Sequence, residues 1–271
     1  MKLPARIAFA AVLIAAAPAL AQREDSIQSC AHANGEMQIK ACTWLIRNGK
    51  QKDADLAVSF LNRGVAYQIK GMFPQAAFDY SQAFTLVPDF ALAYVDLGSL
   101  YDADGQYEHA IEFYDKAVLA KPDFALSYFA RGKANAELGR HEAALPDYDK
   151  YASLVPDDPE LFNNRGASDL ALARFDAAFA DFGRALTLNP GFAAALENRG
   201  VAHYRTANYA AAIADATAVL AQQPLNAAAL YVRGLAKTKT GDAAGGKGDI
   251  AAATAIDAKI AVIFAKQGVA P

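Results

Sequence analysis

Residues 57–90 read AVSFLNRGVAYQIKGMFPQAAFDYSQAFTLVPDF, and residues 91–124 read ALAYVDLGSLYDADGQYEHAIEFYDKAVLAKPDF. Laid under one another without a gap, the two share Gly at the eighth and fifteenth places, Ala at the twentieth, and Pro-Asp-Phe at the end. The period of 34 continues, so that six units (57–90, 91–124, 125–158, 159–192, 193–226 and 227–260) fill residues 57–260. The eighth place is Gly64, Gly98, Gly132, Gly166, Gly200 and Gly234, and the twentieth is Ala76, Ala110, Ala144, Ala178, Ala212 and then Gly246. Ala-rich stretches with large apolar residues at helical spacing favour helices. Gly71, Gly105, Gly139 and Gly241 mark a turn halfway along four units, and Pro88, Pro122, Pro156, Pro190 and Pro224 close the first five. Each unit therefore reads as helix, turn, helix, stop.

This pattern resembles the tetratricopeptide repeat family, with Tyr67, Ala76, Tyr80, Ala83 and Pro88 at the family's signature places. The resemblance covers residues 57–260 and implies an all-α fold, a right-handed superhelical solenoid of antiparallel helix pairs. The physical sense can be read in the residues. Small side chains at the eighth and twentieth places let two helices approach closely, while Phe60, Tyr94, Tyr128 and Phe162 fill the space between units. One unit cannot bury its own apolar face, so stacking makes the core. The last stretch, AVIFAKQG at 261–268, repeats the opening of a unit, and residues 261–271 are expected to cap the final repeat.

In the family that the chain resembles, first helices line a concave groove and hold partner segments at about the second, fifth, sixth, ninth, twelfth and thirteenth places. Here those places include Asp96, Asp102, Phe129, Lys133, Asn163, Glu197, Asn198, Tyr204, Arg205 and Tyr231. Aromatic rings among polar groups suit an extended or helical peptide. The family's basic clamp for terminal carboxylates wants Lys and Asn at the fifth and ninth places of one unit. The first unit has Leu61 and Val65, so recognition of that kind is not expected.

Residues 1–21 stand apart. Lys2 and Arg6 precede an apolar run, Ile7 to Ala17, too short to span a bilayer, and Ala19-Leu20-Ala21 offers a small-residue cleavage site, the pattern of a secretory signal peptide. The mature chain would carry 24 basic against 29 acidic residues, a net charge of −5 that argues against nucleic acid as a general partner. Residues 22–56 read as a degenerate first hairpin. Extending the period backwards puts Cys30 and Cys42 at the eighth and twentieth places, where helices approach most closely. In an oxidising compartment the two are expected to form a disulfide. A redox-active pair or a metal site fits less well, because there is no C-x-x-C and His32 alone cannot complete a four-ligand zinc site.

Charge repeats too. The seventh place carries Arg63, Arg131, Arg165, Arg199 and Arg233, and the twenty-third Asp79, Asp147, Asp181, Asp215 and Asp249; the second unit has Leu97 and Phe113 instead. The joint switch predicts partly buried ion pairs across each helix hairpin, replaceable by an apolar contact.

Two features invite a chemical reading. Gly241, Gly246 and Lys247 in GDAAGGKGD match part of a phosphate-loop pattern, but Gly248 stands where a hydroxyl should be and a helical segment precedes it, where the motif needs a strand. The glycines imply a weak second helix in the sixth unit, at about 1 kcal/mol each relative to Ala. His109, His141 and His203 occupy unrelated places, without metal-ligand spacing. Pro146 lies within the second helix of the third unit and is expected to kink it. With no catalytic dyad, cofactor motif or later membrane span, the expectation is an exported, periplasmic, non-enzymatic adaptor without cofactors, binding another envelope protein through its groove. The alternative is a structural or self-associating solenoid.

Overall fold

The computed structural model describes residues 21–270, and the expected leader lies outside them but for Ala21. Among the described residues every regular element is a helix: α1 over 21–32, α2 (Gly35–Asn48), α3 (Asp53–Ile69), α4 (Phe73–Leu86), α5 (Ala91–Ala103), α6 (Tyr107–Ala120), α7 (Ala125–Glu137), α8 (His141–Leu154), α9 (Pro159–Ala171), α10 (Phe175–Leu188), α11 (Ala193–Arg205), α12 (Tyr209–Gln222), α13 (Ala227–Lys239), α14 (Ala243–Ile256) and α15 (Ile260–Lys266). Two compact units divide the chain, one ending at Ala134 and the other beginning at Asn135, inside α7.

The turn within each of the six repeats has one geometry whatever its residue. Gly71, Gly105, Gly139 and Gly241 take φ between +72° and +97°, and Ala173 (φ +57°) and Ala207 (φ +58°) take the same left-handed conformation at the equivalent places. The following amide then reaches back along the helix, Met72 N to Tyr67 O and Asn208 N to His203 O at 2.8 Å each, capping carbonyls that the helix end would leave unpaired. A left-handed Ala costs about 1–2 kcal/mol, so packing of the helix pair, rather than the turn residue, fixes this bend.

In the first unit, Tyr80 is fully buried among Ala57, Leu61, Ala76, Ala83, Ala93 and Leu97, and Tyr114 repeats the arrangement with Ala91, Val95, Ala110, Ala117 and Ala134. Cys30, Ala41, Cys42 and Leu45, with Trp44 against them, form a separate small cluster under α1 and α2. The Cys30 and Cys42 sulfurs are bonded, with Cα atoms 4.8 Å apart. α3 begins four residues before Ala57, where Asp53 and Asp55 supply favourable acidic groups to a first turn that no preceding Pro-Asp-Phe loop delimits.

In the second unit one cluster runs from Leu170 and Phe182 through Leu196, Val219 and Leu235 to Phe264 and Val269. α8 runs as one helix through Pro146. Asp158 caps α9, its carboxylate accepting from Glu160 N at 2.8 Å, with Pro159 in the first turn. α13 and α14 approach backbone to backbone: a Cβ on Gly234 would lie 2.8 Å from the Gly246 carbonyl oxygen, and one on Gly246 would lie 2.6 Å from that of Gly234. The glycines expected only to weaken α14 are what allows its backbone to meet that of α13.

The eighth-place glycines divide by what faces them. A Cβ on Gly98 would stand 2.5 Å from Cε1 of Tyr114, a buried ring without room to retreat. Gly98→Ala is therefore expected to destabilise: overpacking costs about 1–3 kcal/mol against a helix gain of about 1 kcal/mol. A Cβ on Gly200 would meet nothing nearer than Asp215 Cβ at 3.6 Å, because Ala216 stands where Tyr114 does in the other unit. Gly200→Ala is expected to stabilise by up to about 1 kcal/mol. Thermal melts by circular dichroism check both; shifts of the same sign would refute this account.

Candidate partner-binding surface

Arg63, Arg165, Arg199 and Arg233 each meet the Asp of their own hairpin. Arg63 gives Asp79 two parallel hydrogen bonds of 2.7 and 2.8 Å, and Arg165 gives Asp181 two of 2.8 Å. Arg199 pairs with Asp215 at 2.9 and 2.6 Å and Arg233 with Asp249 at 2.7 Å twice. In the exceptional repeat, buried Leu97 and partly buried Phe113 share an apolar cluster, and the Phe113 ring stacks 5.4 Å from that of Tyr101. Arg131 donates to Asp115 at 2.6 Å, and Asp147 lies buried in α8. Asp115 is not among the residues that the sequence singled out, nor is Asp149, which takes a further bond from Arg165 at 2.8 Å. The signal was present: both are Asp at the twenty-fifth place, sixteen residues before the Arg of the next repeat.

Each pair balances burial against attraction differently. Burial raises the Asp79 carboxyl above its ordinary pKa, against the pull of Arg63. At Asp249 burial pushes the same way, but Arg233 and Lys237 together prevail and hold it low.

On the first helices of the first unit, Asp96 of α5 is half-buried, and burial lifts its carboxyl to about 6; among the described residues no cation pairs with it. Nearby, the Tyr80 hydroxyl donates to Gln68 Oε1 at 2.6 Å and Gln68 Nε2 donates to Ser99 Oγ at 3.4 Å, linking α3 to α5. Asp102 is half-buried one helical turn beyond Ser99. Phe129 of α7 is nearly enclosed, with the exposed Lys133 ammonium 5.9 Å from its ring centre. A separate apolar cleft of about 440 Å³ opens between Phe73, Pro74, Ala77, Leu97, Leu100 and Tyr101.

In the second unit the expected groove residues are engaged. Asn198 donates to Asn163 Oδ1 at 2.9 Å, tying α11 to α9. Glu197 accepts from Asn226 at 2.6 Å, and Asn226 in turn caps α13 through Ala229 N at 2.9 Å. Burial raises the Glu197 carboxyl. Arg205 donates to the Leu170 carbonyl at 2.7 Å and lies 5.0 Å over the Phe175 ring. Tyr204 and Tyr231, expected to face an open groove, are buried under the chain's own final segment: Phe264 of α15 packs 5.4 Å from Tyr231, and the Tyr204 hydroxyl donates to the Ala270 carbonyl at 2.6 Å. Periodicity reports which face a residue occupies and is silent on what covers that face.

The partial phosphate-loop pattern has a structural explanation. Asp242 caps α14, its carboxylate accepting from Gly245 N at 2.9 Å, so an anion already sits where a phosphate would have to bind, and α13 precedes the turn. Among the described residues no three His, Cys, Asp or Glu side chains are grouped to hold a metal ion, and no helix is long and apolar enough to cross a membrane.

Family models described as tetratricopeptide repeat match residues 91–124 and, for a second model, residues 114–159, 164–216 and 202–253. No curated protein sequence matches the chain. Among solved structures, YrrB, described as a tetratricopeptide protein with an unusual peptide-binding site, is 22% identical with a TM-score of 0.60, over 72% of this chain and 98% of its own. PilF of Pseudomonas aeruginosa is 18% identical with a TM-score of 0.67, over 80% and 100%. A tetratricopeptide protein of Parabacteroides merdae is 16% identical with a TM-score of 0.65, over 91% and 96%. At these identities the likeness is one of fold, and it agrees with the paired helices and their 34-residue recurrence. With more than half of its length matched by the family's own models, the chain belongs to the tetratricopeptide repeat family.

Proposed function

We propose that the chain is a non-catalytic interaction scaffold of the cell envelope that holds a peptide or protein segment against its first helices. Tetratricopeptide repeats are protein-interaction modules, and YrrB, which shares the fold, is described as having a peptide-binding site. The observation that carries the reading is Asp96, a half-buried carboxylate lifted to about 6 by burial and paired with no cation among the described residues. Such a group is costly to the isolated chain unless a partner supplies a donor. Lys or Arg on a bound segment is the natural complement of that carboxylate. The envelope assignment is supported by the leader pattern at 1–21 and by the Cys30–Cys42 bond, which suits an oxidising compartment.

The test is a cross-linked capture from envelope extract with the wild-type chain and an Asp96→Asn variant shown to retain its helicity. A protein enriched by the first and reduced at least fivefold with the second is expected. Capture should also weaken as pH falls from 7.5 to 5.5, because the carboxylate, charged above about 6, becomes neutral. Equal capture by both baits at both pH values would remove this face from consideration. Exposed Ile69, Phe73 and Phe78 favour a second reading, self-association, which light scattering over a concentration series would reveal as a growing mass.

A further inference from the structure

Residues 260–270 occupy the face of α11 and α13 in the manner of a ligand. Ile260 and Phe264 are buried, the latter against Tyr231. After Lys266 the chain turns at Gly268 (φ +74°), where the Val269 amide returns to the Phe264 carbonyl at 2.9 Å. Val269 is fully buried, and the Ala270 carbonyl receives the Tyr204 hydroxyl. α15 packs far less on α14 than α13 does on α12, so it does not simply continue the stack. The fit also leaves space: a cleft of about 240 Å³ lies beside Leu196, Val232, Ile263 and Phe264, and another of about 680 Å³ runs along Leu170, Arg205 and Gln267. On the same segment Val262 and Ile263 remain exposed.

We propose that this face is a peptide-binding site whose resident ligand is residues 260–270, and that it takes from a partner protein a segment of the same chemistry. The resident segment defines that chemistry. It presents a large apolar or aromatic side chain to Tyr231, a branched apolar side chain five residues later to the pocket of Val269, and a backbone carbonyl to the Tyr204 hydroxyl. This rests on the scaffold reading above and names the ligand class for the second unit. A tethered ligand acts at an effective concentration near millimolar, so an external segment meets a site that is closed most of the time.

The probe is a fluorescent synthetic peptide of residues 257–271, DAKIAVIFAKQGVAP, titrated by anisotropy into the full chain. Phe264→Asp in the protein alone releases the resident segment and is expected to bind the probe at least tenfold more tightly than wild type. Adding Tyr204→Phe should weaken that binding severalfold. Because Phe264→Asp removes a core contact, a second form carries a protease site after Asp257, cut once the chain has folded, and it should also bind the probe. Failure of the folded, cut chain to bind the probe, or binding indifferent to Tyr204→Phe, would show the segment to be permanent core. If capture through the Asp96 face persists in that case, only this inference falls; if it is lost as well, the scaffold reading falls with it.

Discussion

Arg63→Leu is expected to cost about 3–5 kcal/mol at pH 8, and Arg63→Leu with Asp79→Phe to recover at least half of that loss. Asp79 is 1% exposed and receives two bonds from one guanidinium, whose remaining amino group reaches Thr43 Oγ1 at 3.1 Å. Remove the cation and a carboxylate stays behind in a site that water does not enter. The pH dependence identifies the mechanism. Burial already raises the folded-state pKa of Asp79, so its contribution to stability is whole below the unfolded value and is lost as pH rises through the folded one. Without Arg63 the folded value rises further and the loss widens. The penalty should therefore be smaller at pH 4, where Asp79 can go neutral, than at pH 8. The double variant installs the pair that the next repeat carries as Leu97 and Phe113, where Phe113 stacks on Tyr101; Tyr67 stands ready in the equivalent place. Urea melts of the three proteins at both pH values provide the check. A penalty flat in pH, or a double variant as unstable as Arg63→Leu, would mean that the pair is not what makes Arg63 necessary.

What the sequence made legible was whatever recurs at a fixed interval. Helices α5, α7, α9, α11 and α13 begin at residues 91, 125, 159, 193 and 227. Position in the 34-residue period identifies which side chains face each other, and it pairs Arg63 with Asp79 and Cys30 with Cys42 for the same geometric reason. Features that break the recurrence were harder to see. Ala173 and Ala207 give no hint of a left-handed turn, because the conformation is imposed by helices on either side of them. Gly246 read as a loss of helix propensity, since the sequence cannot show that a neighbouring carbonyl would lie 2.6 Å from its Cβ. Tyr204 and Tyr231 stood at groove places, but nothing local to them announces that a segment more than thirty residues away returns to cover them. The stacking of one repeat on the next is a short-range rule, whereas the path of the chain after the last repeat is decided by the whole surface that it finds.

The other large effect belongs to the disulfide. Replacing Cys30 and Cys42 by Ala is expected to cost about 3 kcal/mol, as for a closed loop of about fifteen residues, and to express that loss in α1 and α2 alone. The locality follows from the core there. Besides the two cysteines it holds only Ala41 and Leu45, with Trp44 partly buried against them, so little apolar area would remain to hold α1 once the bond is gone. α2 keeps its packing on α3 and should loosen less than α1. Tyr80 and Tyr114 anchor clusters that do not include the cysteines, and the helices around them should be unaffected. Amide hydrogen exchange read by mass spectrometry resolves the difference: protection should fall by about a hundredfold over residues 21–32, corresponding to about 3 kcal/mol, and stay within about twofold in α4 to α6. The same loss should follow reduction of the unaltered protein. Unchanged protection in α1 would mean that its packing on α2 suffices, and uniform loss along the first unit would mean that the repeats unfold as one body with this hairpin. The predicted pattern makes α1 a segment tied to the scaffold by a covalent bond more than by its core, so that its order depends on the redox state of the compartment in which the protein works.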